Sequence, residues 1–210
     1  MNNNTKRSSP KMEQRAQLQR LRILKAARTC FIQDGLHAGT IARISEVAQM
    51  SPGLIYRYFS SKNEIVLALI SLQVRAVKVR FAGLTPKIMT TNYCAYLRQW
   101  LAGNPDVPSP SLILDICAES TRNPEIARHI FEADTDGLAS LMEWMNDLAT
   151  KAGDILSKEE IQMRALTLRC FIDGLLVRAV REPDLDMDLV ERTMDRLTST
   201  LMPWEPGDAT

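Results

Sequence analysis

Apolar residues in this chain recur three and four apart from Leu21 almost to its end, and no β-branched run alternates in twos between hairpin signals. That periodicity restricts the fold to an all-α architecture. Leu21, Leu24, Ala27 and Phe31, with Ile23 and Cys30 beside them, trace one helix face up to Gly35, which is read as the stop. Thr40 is placed to cap a short second helix that buries Ile41, Ile44 and Ala48. Ser51 followed by Pro52 is a strong start signal, because a serine caps free amides and proline has no amide to satisfy. The third helix is therefore only about two turns, Pro52 to Phe59. Ser60 or Ser61 opens a longer fourth helix through Leu67, Ile70, Val74 and Val77 towards Phe81.

Two short helices joined by a tight turn and braced by a longer one form a helix-turn-helix. A major groove is about 12 Å wide, so a stubby helix can enter it N-terminus first, with its amides near phosphates and its small residues near base edges. Pro52 and Gly53 permit that approach. Leu54 and Arg57 then fall on the base side, suited to a thymine methyl and a guanine edge. Ile55 and Phe59 turn inward, while Tyr56, Tyr58 and Lys62 offer donors to phosphates. Charge supports this reading. Residues 1–62 hold eleven Lys and Arg against three Asp and Glu, a balance of +8, leaving 15 against 22, or −7, for residues 63–210. A polyanion surface is thus expected in the first third alone.

The segment TIARISEVAQMSPGLIYRYFSSKNEI resembles the DNA-binding signature of the TetR family of bacterial repressors. Thr40, Ile44, Ala48, Ser51, Gly53, Tyr56, Tyr58, Phe59 and Lys62 stand in place, while Ser45, Gln49, Met50 and Ile55 depart from the usual Ala, Gly, Val and Leu. At Gln49 the turn wants a positive φ, which costs a residue with a Cβ about 1 kcal/mol. The resemblance implies base-side roles for Arg43, Pro52, Gly53, Leu54 and Arg57, and phosphate-side roles for Thr40, Tyr56, Tyr58 and Lys62. It also implies a homodimer on an inverted-repeat operator, released by a small hydrophobic effector held among helices four to eight. The effector cavity would draw on Trp100, Ile113, Ile116, Cys117, Phe131, Met142, Met145, Phe171 and Leu175. Asp115 and Glu119, four apart, want a cation, either Arg122 or a cationic ligand. Glu119 is accordingly counted with the pocket.

The domain reading is a basic arm over 1–10, a DNA-binding domain over 11–62 and an effector-binding and dimerisation domain over 63–210. Lys6, Arg7, Lys11 and Arg15 can reach an adjacent groove or remain a solvated tail. GNPDVPSPS breaks the chain between a fifth helix ending near Leu101 and a sixth from Ser111 to Thr121. Asn123 and Pro124 cap a seventh that runs to about Lys151. The stretch AESTRNPEIARHIF resembles the C-terminal domain of the betaine-regulator-like branch of the family. From Glu159 onward, Ala165, Leu168, Ile172, Leu175 and Ala179 form one stripe, and Met187, Val190, Met194, Leu197 and Leu201 form another. Leu166, Phe171 and Leu176 give the first of these helices a second apolar face. Leu168, Ile172, Leu176, Val190, Met194, Leu197 and Leu201 are read as dimer residues in a four-helix interface, the alternative being that both stripes fill the monomer's own core.

Other classes are weaker. No Gly-rich phosphate loop or metal-ligand spacing is present, and two histidines make a catalytic constellation hard to assemble, so no catalytic residue, metal or cofactor is expected. A ligand-independent architectural DNA-binding protein of the same fold stays open, and an enzyme less so. The N-terminus lacks a signal-peptide stretch and no window approaches about 18 apolar residues, so a soluble, cytoplasmic protein without a membrane partner is expected. Four widely spaced cysteines are read as core thiols in a reducing compartment.

Overall fold

The computed structural model describes residues 10–78, 84–104 and 106–204. The arm read over 1–10 lies almost wholly outside them. Among the described residues every regular element is an α-helix. The chain divides into two compact units, Met1–Leu69 and Ile70–Thr210.

In the first unit, α1 (Pro10–Ala38) comprises two helical stretches that meet at a kink at Gly35, whose φ of 79° and ψ of 160° are non-helical, so the glycine ends the first stretch as read. Ile23, Ala27, Cys30 and Phe31 are buried along one side, as their spacing requires. α2 (Ile41–Ala48) starts where the Thr40 hydroxyl accepts from the Arg43 amide at 3.2 Å. Gln49 ends it in the left-handed region, φ 51° and ψ 49°, the only non-glycine residue with positive φ among those described. α3 (Pro52–Tyr56) starts at Ser51, whose hydroxyl accepts from the Leu54 amide at 3.3 Å. It is shorter than the sequence reading, since Arg57 and Tyr58 already form the turn that leads to α4 (Lys62–Lys78). Ser61 and Glu64 close the start of α4: the Ser61 hydroxyl accepts from the Glu64 amide, and the Glu64 carboxylate accepts from the Ser60 amide at 2.6 Å. That backbone bond holds the Glu64 carboxyl below its ordinary range.

Close approach fixes the α1–α2 corner. A Cβ on Gly39 would overlap Cδ1 of the buried Phe31 ring and lie 2.7 Å from its Cε1. Gly39→Ala is therefore expected to destabilise this unit by about 1–3 kcal/mol, because a fully enclosed ring has nowhere to move. Chemical denaturation followed by circular dichroism measures it, and an unchanged midpoint would show that the ring yields freely.

In the second unit, α5 (Pro86–Leu101) packs on α9 (Met187–Leu201), and α7 (Pro124–Lys151) packs on α8 (Lys158–Arg181), with α6 (Pro110–Ser120) against both α7 and α8. Thr85, Ser109, Asn123, Ser157 and Asp186 cap the starts, each accepting from an amide two or three residues on. The core joins Cys94 and Leu97 of α5, Leu141, Trp144 and Met145 of α7, Ala165, Leu168 and Leu175 of α8, and Val190 and Met194 of α9. Directional ties set the register: Tyr93 donates to the Ile172 carbonyl at 3.0 Å, and the Trp144 indole donates to the Leu84 carbonyl at 2.9 Å. Arg98 reaches Asp188 at 3.1 Å and Glu191 at 2.7 Å. Cys30 and Cys94 are buried as expected, and burial pushes the Cys94 thiol up to about 11. Cys117 and Cys170 correct that expectation: both are exposed free thiols, on α6 and α8.

Candidate functional site

The start of α3 is open to solvent. Ser51, Pro52 and Gly53 are exposed, and nothing lies within 4 Å of where a Gly53 Cβ would stand. The Leu54 amide is taken up by the Ser51 cap, while the side chains of Tyr56 and Arg57 are exposed. Tyr56 is 55% exposed and Arg57 is exposed with no ion-pair partner among the described residues. Leu54 and Tyr58 are half-buried. Ile55 and Phe59 are fully buried, anchoring the helix from its inner side.

A brace absent from the sequence reading holds this geometry. The Arg20 guanidinium sits 4.1 Å over the Phe59 ring, donates to the Tyr58 carbonyl and lies 3.9 Å from Glu64. Position 20 carries a visible basic residue, but nothing in the linear pattern pairs it with a segment thirty-eight residues away. Two sequence-derived phosphate candidates have internal tasks. The Thr40 hydroxyl is the α2 cap. The Lys62 ammonium donates to the Leu36 carbonyl at 3.0 Å and the His37 carbonyl at 3.3 Å, satisfying acceptors at the end of α1. Arg43, on the outer side of α2, bonds Asp34 and Glu46. Those two contacts raise its pKa further, the Glu46 bond more than the Asp34 bond.

Such an arrangement presents a guanidinium and a phenol on an exposed segment whose inner side is locked. It suits binding a polyanion with groove edges. Among the described residues no three His, Cys, Asp or Glu side chains converge as metal ligands. No helix among them is long and apolar enough to cross a membrane.

Comparison with known proteins agrees with this geometry. Residues 23–69 match the family described as "Bacterial regulatory proteins, tetR family", and residues 95–203 match "BetI-type transcriptional repressor, C-terminal". The chain belongs to the TetR family. Both matched families are of transcriptional regulators, and the second gives the chain a BetI-type C-terminal domain. The HTH-type transcriptional regulator UidR of Escherichia coli K12 is 31% identical over 116 residues, 55% of this chain and 59% of UidR, so the match spans well under two thirds of that relative. Salmonella enterica GusR is 25% identical and superposes with a TM-score of 0.71 over 95% of this chain and 100% of GusR. FadR of Bacillus subtilis, solved in complex with stearoyl-CoA, shares the fold at 16% identity and a TM-score of 0.62, over 88% of this chain and 98% of FadR.

In the BetI-type domain, the residues expected around an effector separate into two groups. Trp100, Ile113, Met142, Met145, Phe171 and Leu175, from α5 to α8, meet in or against one core cluster, and Ile116 is buried on α6. Phe131 does not join them: it is 72% exposed on an outer side of α7. Cys117 is exposed, and Glu119 is held by Arg122 at 3.3 Å, the pairing its spacing allowed. Two features escaped the sequence reading. Arg169 bridges Asp134 at 2.8 Å and Asp173 at 3.2 Å, and burial lifts the Asp173 carboxyl against the pull of that arginine. Thr90 is fully enclosed, and its hydroxyl has no hydrogen-bond partner among the described residues. The four-residue spacing of Arg169 and Asp173 was visible; the unpaired hydroxyl was not.

The seven residues read as dimer contacts all lie in or against the core cluster of their own unit. Leu168 and Met194 are fully buried, Val190 and Leu176 nearly so, and Ile172, Leu197 and Leu201 pack partly buried against the same cluster. The stripe that periodicity picked out is the inner side of α8 and α9. On α8 the outer side is itself apolar: Met163 is 53% exposed, Leu166 54% and Val177 37%, with Cys170 and Gly174 exposed between them. Of the residues assigned to a second face, only Leu166 points outward.

Proposed function

We propose that this chain is a homodimeric repressor that binds an inverted-repeat operator through α3 and leaves it when a small hydrophobic molecule enters the BetI-type domain. The observation that carries the DNA half is α3 itself: a five-residue helix, capped by Ser51, with Tyr56 and Arg57 outward and Ile55 and Phe59 locked inward. In this reading Pro52, Gly53, Leu54, Arg57 and Arg43 meet base edges, and Thr40, Tyr56, Tyr58 and Lys62 meet phosphates. Single copies of so short a helix touch few base pairs, which is why two are needed. If a dimer neutralises about eight phosphates, affinity falls with a log–log salt slope near −7.

The second copy docks on the outer stripe of α8, Met163, Leu166, Cys170 and Val177, in place of the seven core residues. A helix apolar on two opposite sides needs one partner inside its unit and another outside it. The effector half rests on the cluster of Trp100, Met142, Met145 and Phe171 and on the unpaired Thr90 hydroxyl, since buried polar groups ordinarily have partners. Ligand release requires preference for the DNA-incompetent shape, a coupling of about 1–3 kcal/mol.

The test begins with selection of bound duplexes from a randomised pool by the full chain. A palindromic consensus is expected. Arg57→Ala should then lower discrimination at one base pair per half-site by about 1–3 kcal/mol. An unaltered consensus in that variant would remove Arg57 from the reading side.

A further inference from the structure

Arg43 is expected to read DNA, yet its guanidinium is occupied. Nε donates to Asp34 Oδ2 at 3.3 Å and Nη1 donates to Glu46 Oε2 at 3.1 Å. One carboxylate comes from the last turns of α1, the other from the next turn of α2, so the arginine is held from two elements. A guanine edge is taken bidentately by two adjacent N–H groups of the guanidinium, facing O6 and N7. Approach through Nε and Nη2 must displace Asp34. Approach through Nη1 and Nη2 brings the lone pairs of O6 and N7 beside the Glu46 carboxylate, which repels them. Phosphate oxygens meet the same obstruction.

We infer that Asp34 and Glu46 form a two-carboxylate latch that holds Arg43 off DNA in the free protein, so that each operator contact through Arg43 must first open it. The inference rests on the reading that Arg43 touches DNA. Both pairs are open to solvent, with Arg43 at 45%, Asp34 at 32% and Glu46 at 67% side-chain exposure. The latch is therefore weak enough to open on contact and strong enough to lower affinity measurably. Asp34 and Glu46 act through Arg43 and are positioning residues.

The experiment is a double-mutant cycle on the full chain, with the duplex that the unmodified protein selects from a random pool as the probe, followed by fluorescence anisotropy at fixed salt. Asp34→Asn and Glu46→Gln are each expected to tighten binding by about two- to five-fold, the range that exposed ion pairs provide. In an Arg43→Ala background each gain should shrink to less than half. Equal gains in both backgrounds would assign the effect to ordinary repulsion between carboxylate and phosphate and overturn the latch. Absence of any gain, with Arg43→Ala still weakening binding, would overturn the latch and leave Arg43 as a reader. If Arg43→Ala leaves affinity and consensus unchanged, the reading of Arg43 fails and the latch with it. Thermal melting of each variant shows whether the fold is intact.

Discussion

Leu166→Glu is expected to yield a folded chain that sediments as a monomer and binds its selected duplex at least about a hundred-fold more weakly than the unmodified protein. Leu166 is 54% exposed, so a carboxylate there meets solvent in the monomer and nothing inside the unit is disturbed. In a dimer built on the outer side of α8, the same carboxylate is enclosed near the two-fold axis beside its symmetry copy. Two unpaired like charges out of water outweigh the apolar contacts the stripe can supply. Operator binding falls with dimerisation, because the second reading helix then has to find its half-site without a tether. Sedimentation equilibrium and anisotropy measure the two consequences separately. A dimer that survives would move the interface off Met163, Leu166, Cys170 and Val177.

Leu168→Ala, two residues away, should do the opposite. Leu168 is completely enclosed, among residues of α5, α7, α8 and α9, and its removal leaves a cavity in the centre of the BetI-type domain. The expected cost is about 2–5 kcal/mol of that domain's stability, with the dimerisation constant changed little where the fold persists. Differential scanning calorimetry gives the first quantity and sedimentation at low temperature the second. Had Leu168 been an interface residue, as its heptad-like spacing suggested, the pattern would reverse: a stable monomer and a lost dimer. The pair of variants therefore separates the inner from the outer side of one helix.

Helix starts were legible because capping is local. Thr40, Ser51 and Asn123 each bond amides two or three residues ahead, so the signal and its consequence lie within one turn of sequence. Gln49 was legible for a related reason: the two-helix turn needs a left-handed residue whatever side chain stands there, and the chain places Gln49 at φ 51°. The Asn123–Pro124 cap likewise placed the start of α7, and the repeat from Met187 to Leu201 spans α9. The limit of periodicity is that a repeat of three and four says a side is apolar without saying what covers it. On α8 two apolar sides exist, and the more regular one proved to be the core.

Tasks shared across the chain were beyond the sequence. Lys62 stands at a position that suits a phosphate, and only the fold shows its ammonium on the carbonyls at the end of α1. Arg20 over Phe59, and Arg43 between Asp34 and Glu46, are meetings of segments that no spacing rule pairs.

The amino-acid order by itself determined that the chain is helical, where most helices begin, and that a short capped helix with outward tyrosine and arginine follows a tight turn, since these depend on interactions within a few residues. The tertiary structure alone decided which side of α8 is inner, which cations are already engaged, and which thiols face solvent. Those outcomes follow from packing between elements far apart in sequence, where burial and ion pairing are settled by geometry that no local pattern encodes.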